Sequence, residues 1–371
     1  MDVVVAGIGL LSCLGSLQQT WSEILAGKSG IELQKIFDFP TYPLGLISNF
    51  KPAKTKDITE KLLLSTLADA ELQIPLSQCG VVIGSSRGCQ ANWEELATTK
   101  QNNIPNWLFT LPHQSAIAVA KSIQTTAPVL APTAACATGI WSLARGYELI
   151  KTGRCDRVIA GAIEAPITPL TIAAFERMGA LAKTGCYPFD RDREGLVLGE
   201  GGAMFVLETA ELATRRQAKI YGKIQGFGLT CDAYHISAPQ TTNGSAVKAI
   251  KQALNRSNLE PEKIDYIHAH GTSTILNDRH EAELIQHIFP KRVAVSSTKG
   301  ATGHTLGASG AIGVALTLMA LDRDHLPPCA GLKNLEFNLN IITQSRKAQI
   351  DRAMCFSFGF GGQNAVVALS R

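Results

Sequence analysis

Residues 131–150 read APTAACATGIWSLARGYELI, which sets Cys136 among small residues just before an apolar pattern of helical period. A thiol at a helix N-terminus feels the positive end of the macrodipole, which favours the thiolate and makes a nucleophile. Ala134, Ala135, Ala137 and Gly139 leave room for a substrate carbonyl and for a sharp strand-to-helix bend, as at a nucleophile elbow. On this reading Cys136 should alkylate well below pH 8.5, about the value of an ordinary thiol, and ahead of the other cysteines. The competing account is a small buried hydrophobe, because free Cys is among the most buried residue types.

On either side of this stretch, short apolar runs alternate with amphipathic segments, the pattern of an α/β protein with buried strands. Strands are predicted at 3–7, 80–84, 158–161, 203–207, 223–228, 266–270, 293–297 and 355–369, the last broken by glycines. Helices are predicted at 17–26, 59–70, 114–122, 137–151, 211–216, 244–255, 279–289 and 307–321. The charged stretch 211–219 marks a seam and divides the chain into residues 1–217 and 218–371. A strand, a small-residue turn and a helix recur around Cys136, His270 and His304, and strand C-terminal ends are where open α/β sheets place ligands.

The whole chain, 371 residues with 45% hydrophobic and 18% charged, is large enough for roughly two to three folding units and too apolar to be disordered. A net charge of +4 with no stripe of Lys or Arg gives no sign of nucleic-acid binding. Nine Cys without a C-x-x-C pair argue for reduced thiols in a cytosolic compartment. The apolar N-terminus lacks a basic leader, and no stretch of about 18 charge-free apolar residues is found, so neither a signal peptide nor a membrane span is expected.

Three further stretches carry chemistry. DYIHAHGTSTILNDRHEAELI (265–285) puts His268 and His270 on one face of a strand end, followed by the hydroxyls of Thr272, Ser273 and Thr274. Such a His is a candidate proton or hydrogen-bond donor to a carbonyl, or else a satisfied structural residue. No H-x-x-x-H spacing supports a metal site. VAVSSTKGATGHTLGASGAIGVALTLMAL (293–321) adds Lys299 and His304 in a Gly-rich turn that matches neither nucleotide-binding fingerprint. Glu281 is a candidate partner for Lys299, the alternative being an ordinary surface pair. AMCFSFGFGGQNAVVAL (353–369) sets Phe358 and Phe360 about Gly359, ahead of Gly361 and Gly362. Such a turn can aim backbone N–H groups into a cavity as part of an oxyanion hole, or simply close a hairpin.

One Cys at a helix start, two strand-end His and a Gly-Phe-Gly-Gly turn, in this order, resemble the β-ketoacyl-acyl carrier protein synthases, specifically the elongating condensing enzymes of the KAS I and KAS II group. The resemblance runs from VVVAGIGLLSCLG (3–15) through WSEILAGKSGI (21–31) to FGFGGQNAVVAL (358–369). PFDRDREGLVLGEGGAMFVLE (188–208) and GFGLTCDAYHISAP (226–239) are further similar blocks. It implies a thiolase fold: two similar α/β halves in a five-layered αβαβα sandwich, residues 1–217 carrying the nucleophile and 218–371 the two His and the oxyanion turn.

The same resemblance implies a cytoplasmic 3-oxoacyl-[acyl-carrier-protein] synthase, an acyltransferase of fatty-acid or polyketide synthesis. Its partners would be acyl carrier protein, acyl and malonyl thioesters and a second copy in a homodimer, with no cofactor, metal or nucleic acid. Carried over by motif, Cys136 takes the acyl chain, and His270 and His304 flank the malonyl thioester during decarboxylation. Lys299 supports them with Glu281 as its partner. The backbone N–H groups of Cys136 and Phe360 form the oxyanion hole, and Phe360 gates the acyl pocket. Thr272, Thr274 and Ser237 bind phosphopantetheine, and Trp107 and Phe109 are candidates for the pocket wall.

Three departures stand out. The family usually has Pro-x-Gly-Asp after GTST, whereas this chain has Ile275, Leu276, Asn277 and Asp278; and Gln363 stands where Thr is usual. The chain is also short, chiefly between residues 39 and 111, where Lys51, Lys54, Lys56 and Lys61 are the basic groups left for a carrier protein. Two rival readings are a catalytically weak partner resembling a chain-length factor, and a CoA-dependent thiolase or initiating synthase. The retained Cys136, His270 and His304 oppose the first. His304 where initiating synthases have Asn, and FGFGG without the second Cys of thiolases, oppose the second.

Overall fold

The computed structural model describes residues 1–48, 52–99, 104–240 and 244–371; Lys51 lies outside them. The main sheet is built from β1 (Val3–Ser12), β2 (Gly80–Gly84), β3 (Val129–Leu130), β4 (Arg157–Glu164), β5 (Gly201–Thr209), β6 (Gly222–Cys231), β7 (Tyr266–His268), β8 (Ala294–Ser296), β9 (Asn340–Ile341), β10 (Arg352–Gly359) and β11 (Gln363–Ser370). Its order is β9-β8-β7-β10-β11-β6-β1-β5-β4-β2-β3.

Each half of this order has the same directions. In the first, β1–β5 and β5–β4 are antiparallel, and β4–β2 and β2–β3 parallel. In the second, β6–β11 and β11–β10 are antiparallel, and β10–β7 and β7–β8 parallel. The halves meet where Val3, Val4 and Val5 pair antiparallel with Ile224, Lys223 and Gly222.

The strands are apolar runs because both faces are covered. Helix α1 (Thr55–Asp69) packs on β1 and β5, and α4 (Ser245–Ser257) on β6 and β11. Between the two halves of the sheet lie α3 (Thr138–Lys151) and α6 (Ser309–Arg323), which pack on β4 and β10 and on one another. Other helices near the site or its surroundings include α2 (Gln114–Ile123) and α5 (Ile275–Ile288), with the helix Pro169–Arg177 carrying Phe175 and the short helix Lys299–Thr302 carrying Lys299. The layers thus run helix, sheet, helix, sheet, helix, the thiolase-type sandwich.

Residues 309–321 of α6 are all buried, so this helix has no polar face. The window Leu306–Arg323 is long and apolar enough to cross a membrane, but 89% of it is buried inside the protein. It crosses α3 at small residues: a Cβ on Gly139 would lie 2.3 Å from the Ala311 nitrogen, so only glycine permits this approach.

Several predicted boundaries shift. The strand ending at His270 closes at His268, and the helix expected from 279 begins at Ile275. The single helix expected over 307–321 is a 3-10 turn, Leu306–Ala308, followed by α6. β3 and β9, two residues each, are too short for periodicity to register.

Candidate active site

The strand-end turns of both halves converge on one cavity of about 300 Å³, lined by Cys136, His270, His304, Thr272, Thr274, Ser237 and Phe360 among others. Cys136 lies in the turn before α3, after Ala135 at φ +46°. Thr138 Oγ1 accepts from Ala134 N at 2.8 Å and donates to Ala135 O at 2.7 Å. Ser357 Oγ donates to Cys136 O at 2.8 Å, fixing the turn from the other half. A Cβ on Gly359 would lie 2.9 Å from Cys136 N, so the glycine turn also has to stay small. The Phe360 backbone N–H lies near enough to the Cys136 sulfur to favour its thiolate.

Burial pushes the Cys136 thiol up to about 11, against the opposing pull of the Lys299 and Arg87 cations and the Phe360 N–H. The lowered thiol expected from the helix terminus is therefore corrected. Complete removal from water disfavours the thiolate more than a helix end, worth up to about 2 kcal/mol, favours it.

The Cys136 sulfur and a ring nitrogen of each of His270 and His304 lie within 4.8 Å of one another, and the two imidazoles meet edge to face at 5.3 Å. Burial, followed by the Lys299 cation, holds both rings well below the usual His range, so they are neutral at pH 7. Lys299 Nζ stands 3.5 Å from His270 Nδ1 and donates to His270 O. His304 Nδ1 is 2.7 Å from Ser309 Oγ. With both Nδ1 atoms occupied, Nε2 is the nitrogen each ring has left for a ligand. The three residues are spaced so that they could ligate a metal ion, but the Lys299 cation beside His270 opposes one.

Glu281 does not form the predicted ion pair with Lys299 among the described residues. Its carboxylate instead accepts from His270 N at 2.6 Å and Gly271 N at 2.7 Å, and burial raises it to about 7. The backbone donors win because they lie at the start of a turn closing over α5, where they are fixed in direction. Asp278, two residues before His280, does the same for the rest of GTST: it accepts from Thr272 N, Ser273 N and Phe189 N. Asn277 Nδ2 reaches Asp278 Oδ1 at 3.1 Å and Glu281 Oε2 at 3.4 Å. The unusual Ile275-Leu276-Asn277 segment thus opens α5 and lines the cavity mouth.

Thr272 and Thr274 hydroxyls are 2.8 Å apart in the same cavity. Phe360 stacks on Phe175 at 6.0 Å, and Arg87 lies over the Phe175 ring. Gln363 is opposite Cys231 in the β11–β6 register, where Nε2 meets Cys231 Sγ at 3.5 Å. Trp107 and Phe109, expected in the pocket wall, are not brought to the cavity. Trp107 packs edge to face on Trp93, whose Nε1 donates to Thr110 O, and Phe109 is 66% exposed beside a separate cavity that includes Lys54 and Lys56. The 3-10 turn Ile104–Thr110 is held by the helix Gln90–Thr99 instead.

Sequence reasoning passed over Glu164 and Ser309. Glu164, fully buried, accepts from Ser85 Oγ, Ser86 N, Ser86 Oγ, Arg87 N and Gly307 N. Its signal was a lone carboxylate inside the apolar run 158–167.

Residues 59–213 match the beta-ketoacyl synthase N-terminal domain and residues 221–333 its C-terminal domain. The 3-oxoacyl-[acyl-carrier-protein] synthase 2 of Synechocystis sp. is 34% identical, over all of this chain and 98% of its own length; that of Coxiella burnetii is 33% identical with the same coverage. Among solved structures, a type II PKS acyl-carrier protein in complex with its ketosynthase bound to the hexaketide superposes with a TM-score of 0.92 at 26% identity, covering 100% of this chain and 99% of that one. A beta-ketoacyl synthase from Burkholderia phymatum gives 0.90 at 27%, with the same coverage. A cysteine facing two neutral histidines across two like halves, together with full-length similarity to these proteins, shows that the chain belongs to the β-ketoacyl synthase family of condensing acyltransferases.

Proposed function

We propose that this chain is an elongating 3-oxoacyl-[acyl-carrier-protein] synthase, its thioester substrates presented on the phosphopantetheine of acyl carrier protein. The observation carrying this reading is the meeting of the Cys136 sulfur with two neutral imidazoles in one cavity. Cys136 sulfur attacks the acyl thioester; the carrier thiol leaves and takes up the proton that Cys136 gave up. Malonyl thioester then enters, its C–C bond to the carboxylate breaks, and the electron pair becomes an enolate whose oxygen receives N–H from His270 and His304. The enolate carbon attacks the acyl-Cys carbonyl, and the resulting oxyanion is held by the Cys136 and Phe360 N–H groups. Collapse breaks the C–S bond and frees the 3-oxoacyl thioester, CO2 having left in the preceding step, and the Cys136 thiolate takes a proton from solvent.

Lys299 fixes His270, and Glu281 holds the His270–Gly271 backbone while its charge favours the Lys299 cation. Thr272, Thr274 and Ser237 at the mouth suit the amides of a phosphopantetheine arm. In this reading Phe360, stacked on Phe175, gates the acyl channel. No cofactor enters any step, and the site is supplied by both halves, 1–217 and 218–371. The chain acts in the cytoplasm as a homodimer, with β3 as the sheet edge open to a second copy. Retention of Cys136, His270 and His304 favours an active synthase over a chain-length-factor-like partner.

Incubation with acyl-carrier protein should add one acyl mass to the protein, and Cys136→Ala should abolish the addition. Wild-type protein left unmodified by both acyl-carrier and acyl-CoA donors would overturn the proposal.

A further inference from the structure

Both active-site histidines need their proton on Nε2 if they are to donate to an enolate oxygen, and the structure meets that need in two unlike ways. His270 Nδ1 faces the Lys299 nitrogen at 3.5 Å, a group that donates from its ammonium form, so the ring proton is driven to Nε2. His304 Nδ1 faces a hydroxyl, Ser309 Oγ, at 2.7 Å. A hydroxyl both donates and accepts, so by itself it leaves the tautomer open.

The surroundings close that choice. Thr305 Oγ1 lies 3.2 Å from Ser309 Oγ, and no other acceptor for the Thr305 hydroxyl is found among the described residues. Thr305 can therefore donate to Ser309, leaving the Ser309 O–H to donate to His304 Nδ1. Thr305 and Ser309 are both buried, which removes competing water. Ser309 is also the first residue of α6, and the 3-10 turn before it is pinned by Glu164, which accepts from Gly307 N at 3.0 Å. A Cβ on Gly307 would sit 2.5 Å from Glu164 Oε2, so turn and carboxylate are fitted to one another.

We propose that Ser309 is a positioning residue that fixes His304 as its Nε2–H tautomer, through the relay from Thr305 O–H to Ser309 O–H to His304 Nδ1. The proposal rests on the ketosynthase reading above. It assigns His304 its donor role in decarboxylation without asking anything of Ser309 during acylation of Cys136.

The test pairs half-reaction kinetics with neutron diffraction of the full chain. In Ser309→Ala, malonyl-carrier decarboxylation should fall roughly tenfold in kcat, the scale of one lost buried hydrogen bond, while KM and the rate of Cys136 acylation change by less than about threefold. Ser309→Thr, which keeps the hydroxyl, should recover most of the loss, and Thr305→Val should reproduce it in weaker form. Neutron density should place the wild-type His304 proton on Nε2 and show it shared or moved to Nδ1 in Ser309→Ala. A wild-type proton on Nδ1, unchanged decarboxylation in Ser309→Ala, or equal loss of acylation and decarboxylation would overturn the assignment. Should the variant fail to fold, the wild-type neutron map and Thr305→Val decide. A wild-type protein inert in both half-reactions overturns the ketosynthase reading, while the neutron map still tests the Ser309 relay.

Discussion

The turn before α3 and the turn before α6 occupy equivalent places in two like halves, yet one presents a cysteine sulfur, proposed above as the nucleophile, and the other an imidazole, proposed as a hydrogen-bond donor. Around Cys136 the chain is tied by backbone-directed bonds from Thr138 and Ser357, and the sulfur is left to a nearby backbone N–H. Around His304 the ring is held by a side-chain hydroxyl and the turn by a buried carboxylate. The same architecture therefore delivers different chemistry because of what fastens each turn. A nucleophile needs its atom free, whereas a donor needs its other nitrogen occupied.

Breaking one side of this comparison at a time should separate the two half-reactions. His304→Ala is expected to lower malonyl decarboxylation by about 10²- to 10³-fold, the usual cost of one preorganised donor, while Cys136 still accepts an acyl group. Stopped-flow release of CO2 beside mass spectrometry of the acyl-enzyme checks this; matched losses would mean that the two turns do not divide the labour. Gly139→Ala strikes the contact between the two helices. With Ala311 N only 2.3 Å from the new Cβ, α3 has to move, at a cost of about 1–3 kcal/mol of overpacking. Thermal and denaturant unfolding should show this, with Cys136 acylation slowed as its turn shifts.

The smallest effect concerns protons. Burial keeps the Cys136 thiol protonated to about 11, so alkylation should climb about tenfold per pH unit from pH 7 to near 11. Cys231, exposed at the surface, should react first. A rate for Cys136 that levels off below pH 8.5 would show that the helix terminus and Lys299 outweigh burial after all.

Much of this was legible in the chain. Apolar runs marked the long strands because each is covered on both faces, and small residues marked the turns because bulkier ones do not fit there. Cys136, His270, His304, Thr272, Thr274, Ser237 and Phe360 stood out by motif and do line one cavity. Glu281 was placed in the right neighbourhood, and its charge does act on Lys299, but its hydrogen bonds go to the His270 and Gly271 N–H groups, since residue spacing says nothing of which buried donors a carboxylate will meet. Trp107 and Phe109 lie apart from the Cys136 cavity, and an aromatic residue near a shortened segment fits a pocket wall or a surface turn equally well in sequence. Ser309 was invisible, a single hydroxyl opening an apolar helix, and only the 2.7 Å approach to His304 gives it meaning.

The antiparallel join of Val3–Val5 with Gly222–Ile224 bears on how the protein is made. β1 has one edge satisfied by β5, but Val3–Val5 on its other edge wait until residue 224 has been added. A nascent chain paused before that point carries bare N–H and C=O groups along an apolar strand, the kind of edge that pairs with other chains. Completion of the first half is thus tied to the arrival of the second, and the open edge then passes to β6, which waits in turn for β11 at residues 363–370.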